Sequence, residues 1–397
     1  MKSPVVVSQQ QKNINSLITL QDGVFFHNGL IFFINLFGGL MKRNLIICFI
    51  SLSLIGIIMV YSASSIWAQY KNGSSMYFLI RQVIFFLIGL FAYFFVVRID
   101  SLIYQKYRNI IILIAIILLI AVLIPGIGMV RGGARSWIGV GELSFQPSEF
   151  VKLAIIIFSA NYLEKNKEDI TKLSSLLPLL LVLIIVFGLI MLEPDFGTGF
   201  ILILTILAMI SISGIKKRYT FIAVILGGIS FVGLILSAPY RLKRIFAFLD
   251  PYEDPLGTGF QIIQSLYAIS PNGFFGRGLF NSFQKYYFLP EPQTDFIFAI
   301  IVEELGFIGG IFIIFLFILL FYNGLLIAIN AKTLFQTYLA SGIIFSIFIQ
   351  FFINVGVVIG LLPVTGVTLP FLSYGGSSLI MNFIMMGILV NIDSKPM

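Results

Sequence analysis

Long apolar stretches bounded by charged or turn residues dominate the chain. Stretches of about 17 to 25 apolar residues are long enough to cross a bilayer as helices. Their spacing predicts an all-α polytopic membrane protein with about ten transmembrane helices. The predicted helices span residues 44–64, 77–97, 109–125, 147–163, 176–192, 196–213, 219–238, 296–322, 335–361 and 377–392. The fourth contains Glu149 and Lys152, and only three residues, Glu193-Pro194-Asp195, separate the fifth from the sixth.

Two long segments lie outside these helices. Residues 24–40 are apolar but short, and Met41-Lys42-Arg43 resembles a start just before the first helix, so we expect residues 1–43 to be a cytoplasmic or interfacial extension. Residues 44–397 then form the transmembrane domain. Its segment 239–294 is predicted as a large loop between the seventh and eighth helices, with a turn at 250–255, a short amphipathic helix at 257–269 and a flexible bend at 273–278.

The composition narrows the possible chemistry. Hydrophobic residues make up 59% of the chain and charged residues 11%, far from the roughly 25% charged content of soluble domains. One cysteine, Cys48, and one histidine, His27, exclude a disulfide framework, a thiolate metal site and a histidine-based triad. Catalysis would have to use carboxylates, lysines, arginines or hydroxyls. We expect membrane lipids as surroundings and no nucleic-acid partner.

Lysine and arginine predict the orientation. If the amino terminus is cytoplasmic, the inside segments contain 13 of these cations and the short outside loops contain four, Lys71, Arg81, Arg131 and Arg135. This bias follows the positive-inside rule and places both termini in the cytoplasm and the large loop outside. Five loop cations run against the rule, which favours an anionic ligand there, although contact with anionic lipid headgroups explains them equally simply. They are Arg241, Lys243, Arg244, Arg277 and Lys285.

Polar residues gather at the outer ends of the predicted helices. Arg131, Arg135 and Trp137 flank a Gly-Gly pair, an arrangement in which backbone can approach a ligand while guanidinium groups bind phosphate. Glu149 and Lys152 share a helix face, either as an ion pair that lets the helix enter the membrane or as ligands of a substrate. Asp195 is expected to cap the sixth helix rather than to act directly in catalysis.

Asp295 ends the loop and begins the eighth helix. We expect Thr294 or Asp295 to cap that helix, whose dipole would stabilise a carboxylate by about 0.3–1 kcal/mol and so favour a general base. Glu303 and Glu304 lie about 12 Å farther along the helix and need partners within the membrane. Candidates are Lys152, Arg131 and Arg135.

Seven short motifs carry a resemblance to a known family. They are RGGARSW at 131–137, QPSE at 146–149 followed by Lys152, PDFGT at 194–198, LPE at 289–291, TDFIF at 294–298, GLLPVTG at 360–366 and PFLSYGGSS at 370–378. In this order the chain resembles the shape, elongation, division and sporulation (SEDS) family from about residue 44 to its end. The loop sequence resembles the division and sporulation branch of FtsW and SpoVE more than the RodA branch of elongation.

The resemblance implies a peptidoglycan glycosyltransferase that polymerises lipid II at the outer face of the bacterial cytoplasmic membrane. It implies Asp295 as the catalytic residue, with Glu149 and Lys152 important for activity. We also expect Arg131, Arg135, Trp137, Asp195, Ser373 and Tyr374 to contact the substrate. Cations, with or without a divalent metal such as Mg²⁺ or Mn²⁺, would stabilise the undecaprenyl pyrophosphate leaving group.

The resemblance also implies protein partners, namely a class B penicillin-binding protein and other membrane proteins of the division machinery. Three alternatives stay open from the residues: a lipid II flippase, a RodA-type enzyme of elongation and a scaffold without activity. A transporter would favour a polar path at the membrane midplane. Here the polar groups concentrate at one face.

Overall fold

The computed structural model describes residues 41–393 except 132, 141–142, 170–172, 237–238, 271–272 and 287, so almost all of the expected extension 1–43 lies outside the described residues. The helices are α1 Met41–Asn72, α2 Tyr77–Val96, α3 Ser101–Leu123, α4 Pro147–Lys165, α5 Leu177–Leu192, α6 Phe196–Ile212, α7 Lys217–Leu236, α8 Pro239–Leu249, α9 Phe260–Ile269, α10 Ile297–Ile329, α11 Leu334–Val358 and α12 Gly376–Asp393. The strands are β1 Gly128–Arg131, β2 Ala134–Val140 and β3 Leu143–Phe145.

A helix occupies each of the ten predicted positions, but several helices extend past the predicted ends. Helix α3 begins eight residues before its predicted start because the Asp100 side chain accepts a hydrogen bond from the Leu102 amide at 3.0 Å and caps it. Within the described ranges, six helices have the length and apolar composition to cross a membrane: α1, α2, α3, α5 with the turn before it, α10 and α11. The chain is therefore a mostly helical, multi-pass membrane protein.

Helix α11 forms the centre of the bundle. It packs against α4, α6 and α10, while α1 packs on α10 and α2, and α2 packs on α12. In the most apolar window of α11, 72% of the residues are buried inside the protein, against 22% in α2 and α3. Exposed apolar side chains, such as Phe91 and Ile184, cover the outer helices, as expected for contact with lipid tails.

A small antiparallel sheet corrects the all-α expectation. Strands β1, β2 and β3 pair in sequence order between α3 and α4. The connection from Arg131 to Ala134 is two glycines long, and Gly133 adopts a φ of 84°, which a side chain would strain. A Gly-Gly hairpin with valine, isoleucine and tryptophan in its strands favours β structure. The sheet places Arg131 and Trp137 at one end of the helical bundle.

The predicted loop 239–294 is more ordered than expected. The amphipathic helix predicted at 257–269 is present as α9, and glycines 273, 276 and 278 in the predicted bend all have positive φ. Helix α8 was not predicted. Its cations alternate with apolar residues along Tyr-Arg-Leu-Lys-Arg-Ile-Phe, a pattern typical of a helix lying at an interface.

The bend of the loop inserts its backbone beside a break in α10. Gly306 has φ 69° and ψ −168°, and a Cβ there would lie 2.3 Å from the Gly276 nitrogen. Backbone bonds cross on both sides of the break, from the Arg277 amide to the Glu303 carbonyl at 3.0 Å and from the Phe307 amide to the Gly273 carbonyl at 3.1 Å. The close approach of the two backbones therefore requires glycine at both 276 and 306.

Glu303 and Glu304 do not pair with the expected cations, Lys152, Arg131 or Arg135. Their carboxylates instead accept hydrogen bonds from loop backbone amides, those of residues 280, 282, 283 and 284. Lys285 lies 3.2 Å from Glu304, and Arg277 lies 3.8 Å from Glu303. The expectation was wrong because the loop folds back along α10 and supplies its own donors, which satisfies buried carboxylates locally.

Candidate active site

A cavity of about 940 Å³ opens where the sheet, the beginnings of α2, α4, α6 and α12, and the segment before α10 meet. Six of the predicted site residues line it: Arg131, Trp137, Glu149, Asp195, Tyr374 and Asp295. The other three, Arg135, Lys152 and Ser373, are not among its lining residues. Arg135 points toward the end of α3, where it donates to the Leu123 carbonyl at 3.4 Å.

Asp295 lies at the cavity wall but does not cap α10. The N-cap residue is Phe296, which has no side-chain cap, and the Thr294 hydroxyl donates to the Glu291 carbonyl at 2.8 Å. The capping expectation was wrong because helix α10 begins one residue later than predicted, so the free amides lie beyond the Asp295 carboxylate. The helix dipole is therefore not the main influence on its ionisation.

Burial controls the proton affinity of Asp295. It raises the pKa of the carboxyl, and the Thr294 side chain and the positive charge of Arg244 oppose that rise. A raised pKa makes the ionised carboxylate a stronger base than an exposed aspartate. Burial, rather than the expected dipole of α10, thus favours proton abstraction by Asp295.

Glu149 and Lys152 form the predicted i,i+3 ion pair in the first turns of α4, after Pro147 at its start. The Lys152 ammonium lies 3.0 Å from Glu149 Oε1 and 2.9 Å from Oε2, and it also donates to Gln350 Oε1 at 2.9 Å. Glu149 is 5% exposed and faces the cavity, while Lys152 is 2% exposed behind it. The pair therefore places its acidic member toward the cavity.

Asp195 caps α6 as predicted, because its Oδ1 accepts from the Thr198 amide at 3.1 Å. Its second oxygen accepts from Gln146 Nε2 at 3.0 Å and from the Ser148 hydroxyl at 3.2 Å. One carboxylate thus joins the start of α6 to the start of α4 at the cavity wall. Beside it, burial first and the charge of Asp195 second together raise the pKa of Glu193 to about 8.

Ser373 and Tyr374 shape the wall next to Asp295. The Ser373 hydroxyl donates to the Thr294 carbonyl at 2.6 Å and accepts from the Leu369 amide at 2.8 Å. The Tyr374 amide donates to the Gln293 carbonyl at 2.8 Å, and its side chain faces the cavity. Ser373 therefore holds the segment that carries Asp295, and Tyr374 presents a ring to the cavity.

Three cations of the cavity wall lie over aromatic rings. Arg81 lies 4.0 Å from the Tyr77 ring centre, Arg131 lies 5.2 Å from that of Trp137, and Lys71 lies 5.4 Å from that of Trp67. A fourth, Arg244 of α8, donates to the Val364 carbonyl at 3.1 Å. Such cations suit an anionic ligand. Arg244 is one of the loop cations expected to favour an anionic ligand. Lys71 and Arg81 were not predicted as site residues; their predicted position on the same side as Asp295 was the available signal.

Among the described residues, no three histidine, cysteine, aspartate or glutamate side chains cluster as ligands for an ion. A divalent cation held by one or two carboxylates together with the phosphates of a substrate does not need such a cluster.

Known proteins resemble the chain over nearly its whole length. The model of the cell cycle protein family of FtsW, RodA and SpoVE matches residues 42–396. Stage V sporulation protein E of Bacillus subtilis is 51% identical over 88% of this chain and 96% of its own length. A protein of Trichlorobacter lovleyi named probable peptidoglycan glycosyltransferase FtsW is 42% identical over 88% of this chain and 92% of its own length.

Solved structures share the fold. One chain, from work on structural coordination of polymerization and crosslinking by a peptidoglycan synthase complex, is 28% identical, has a TM-score of 0.74 and matches over 88% of this chain and 96% of that chain. Thermus thermophilus RodA has a TM-score of 0.66 at 24% identity, over 88% of this chain and 95% of that chain, which shows likeness of fold. The chain therefore belongs to the FtsW, RodA and SpoVE family of cell cycle proteins.

Proposed function

We propose that the protein is a peptidoglycan glycosyltransferase that polymerises lipid II at the outer face of the cytoplasmic membrane. The observation that carries the proposal is Asp295, a carboxylate with raised pKa in the wall of a cavity that also contains Arg131 and Arg244. A base beside cations is what transfer of a sugar from a pyrophosphate requires. Relatives named peptidoglycan glycosyltransferase support the same reaction.

In the proposed reaction, Asp295 accepts the proton of the acceptor sugar's 4-hydroxyl. The hydroxyl oxygen then bonds to the anomeric carbon of the donor, while the bond from that carbon to the pyrophosphate oxygen breaks with inversion. Undecaprenyl pyrophosphate leaves as an anion, so no second carboxylate is needed as an acid, unlike in glycoside hydrolysis. Arg131 and Arg244 neutralise its developing charge. Glu149 faces the same cavity, with the Lys152 ammonium behind it as its counter-charge.

The membrane arrangement of the proposal has ten spans. Helices α4, α6, α7 and α12 are the four spans added to the six long apolar helices. The polar residues of α4 are buried inside the protein, and the short apolar helices α6 and α12 pack against neighbouring helices. Both termini lie in the cytoplasm and the cavity lies outside, in accord with the lysine and arginine bias. The lipid tail of the substrate stays in the bilayer.

The proposal includes a class B penicillin-binding protein as partner, with other membrane proteins of the division machinery. The likeness to a chain from a complex that coordinates polymerization with crosslinking supports a crosslinking partner. The 51% identity to a sporulation protein and the 42% identity to an FtsW support a role in division or sporulation over one in elongation, and the role that we propose is septal wall synthesis in cell division.

Polymer synthesis by purified protein tests the proposal. We expect the chain with its class B partner to convert lipid II into glycan strands on a gel, and Asp295→Asn to bind lipid II but make no strands. Asp250→Asn is the matched control. This exposed loop aspartate accepts a hydrogen bond from the Tyr252 amide at 3.1 Å and is not among the residues that line the cavity. Strands made by Asp295→Asn at the wild-type rate would overturn the assignment. Transbilayer movement of lipid II without strands would favour the flippase.

A further inference from the structure

Two buried amides of α11 lie one helical turn apart and face the active-site wall. Gln350 is 2% exposed and Asn354 is 1% exposed. Their i,i+4 spacing places them on the same helix face. Most buried amides have hydrogen-bond partners, so the partners of these two side chains show what they hold; the Asn354 Oδ1 itself has none among the described residues.

Gln350 links the Glu149 and Lys152 pair to the segment behind the cavity. Its Oε1 accepts from the Lys152 ammonium at 2.9 Å, and its Nε2 donates to the Thr368 carbonyl at 2.9 Å. An ammonium only donates and a carbonyl only accepts, so the orientation of the amide is fixed by its partners. A carboxylate at this position would repel the Thr368 carbonyl. An apolar side chain would remove the donor to that carbonyl and leave the Lys152 ammonium, among the described residues, with Glu149 alone.

Asn354 holds the backbone that carries the proposed base. Its Nδ2 donates to the Asp295 carbonyl at 2.7 Å and to the Val367 carbonyl at 2.7 Å. Both amide hydrogens are thus used. The neighbouring Thr294 carbonyl is held in the same way by Ser373, so the segment before α10 is attached to residues 367–373 rather than capped by its own side chains.

The two side-chain amides donate to the carbonyls of adjacent residues, Val367 and Thr368, and both belong to the same helix, α11. They therefore fix the separation between the Lys152 ammonium and the Asp295 carboxylate. Transfer between two bound sugars requires the base to be held within about 0.5 Å of its productive position, and a shift of about 1 Å can cost about 100-fold in rate.

We propose that Gln350 and Asn354 are positioning residues that hold Asp295 and the Glu149 and Lys152 pair in register for sugar transfer. Neither touches the substrate in this account; each acts through the group it holds. The inference rests on the proposed function, because it assigns these residues a part in the same reaction.

Kinetics of lipid II polymerisation test the inference. We expect Asn354→Ala and Gln350→Met to lower kcat about 10- to 100-fold, with KM changed less than threefold, because the lining residues that contact substrate are unchanged. Asn323→Ala is the matched control. Asn323 is a fully buried asparagine whose Nδ2, among the described residues, bonds within α10 to the Leu319 carbonyl at 2.7 Å, so its variant should keep the wild-type kcat.

The pH profile separates positioning from general loss of structure. With Asn354 removed, the Asp295 segment relaxes toward the cavity, so the acid limb of kcat should move to lower pH as its carboxyl becomes better hydrated. Asn354→Ser, which keeps one donor, should lie between Asn354→Ala and wild type and serves if Asn354→Ala is not recovered folded. Wild-type kcat and an unmoved acid limb in folded Asn354 and Gln350 variants would overturn the inference, while loss of polymer in Asp295→Asn would leave the proposed function standing.

Discussion

Removal of the Lys285 ammonium should release the loop 239–294 from α10. Glu304 is fully buried, and its carboxylate accepts from the Ser62 hydroxyl at 2.6 Å, the Phe280 amide at 2.9 Å and the Ser282 amide at 3.1 Å. Lys285 lies 3.2 Å away and supplies the counter-charge of this carboxylate within the described part of the chain. Lys285→Met keeps the apolar stem and removes that charge.

The magnitude follows from burial. Removing one partner of a buried ion pair costs about 3–5 kcal/mol, because the remaining charge stays desolvated. Each 1.4 kcal/mol corresponds to about a tenfold change in an equilibrium, so opening of the loop should become about 100-fold more populated, or more. Adding Glu304→Gln should recover part of the loss, since a neutral amide needs no counter-charge but keeps only one of the two acceptor oxygens. The two changes should therefore be strongly non-additive.

Hydrogen exchange of the loop measures this release. We expect the amides of Phe280 and Ser282 to exchange about 100-fold faster in Lys285→Met, and the double variant to return one of them near the wild-type rate, because glutamine keeps only one of the two oxygens that accept from them. Arg277→Gln is the control, because Arg277 is 43% exposed and 3.8 Å from Glu303, and exposed pairs contribute about 0–1 kcal/mol. Unchanged exchange in Lys285→Met, or simple addition of the two changes, would refute the reasoning.

Three further predictions concern the site. Glu193→Gln should raise the thermal midpoint at pH 8 and leave it unchanged at pH 4. Burial raises the pKa of Glu193 to about 8 from an ordinary value near 4.5. Between these two values the folded state keeps the proton that the unfolded state has lost, and this lowers the free energy of unfolding by about 3 kcal/mol at pH 7. Glutamine does not titrate and so removes this cost. Arg244→Gln should move the acid limb of the pH-rate profile to higher pH, because loss of the cation raises the pKa of Asp295 and the base protonates sooner; an unmoved limb would contradict this. Ser373→Ala should lower stability by about 1–3 kcal/mol in thermal denaturation, because the buried Leu369 amide loses its acceptor; an unchanged midpoint would show that another group replaces the hydroxyl.

The apolar pattern predicted where helices lie but not where they end. Apolar runs located ten helices because each must hide its backbone from lipid. Asp100 extends α3 outside the apolar run, and the sheet at 128–145 was missed because its strands are three to seven residues long, too short for a periodic signal. Helix α8 was missed because its charges suggested a loop.

The site was predictable where a motif carries its chemistry and not where distant segments meet. The Glu149 and Lys152 pair and the cap of α6 are local, so spacing along a helix predicted them. The partners of Glu304 lie 19 to 242 residues away in sequence, beyond any local pattern. Gln350 and Asn354 gave one usable signal, two amides four residues apart inside an apolar run, but their contacts depend on the packing of α11.

The most direct test of Asp295 as the base is chemical rescue of Asp295→Ala with lipid II as substrate. Alanine leaves room in the cavity for a small carboxylate that can accept the proton in place of the missing side chain. We predict that Asp295→Ala makes no glycan strands alone, and that added formate restores them in proportion to its concentration while chloride at equal ionic strength does not. Strands made by Asp295→Ala at the wild-type rate without formate would contradict the account.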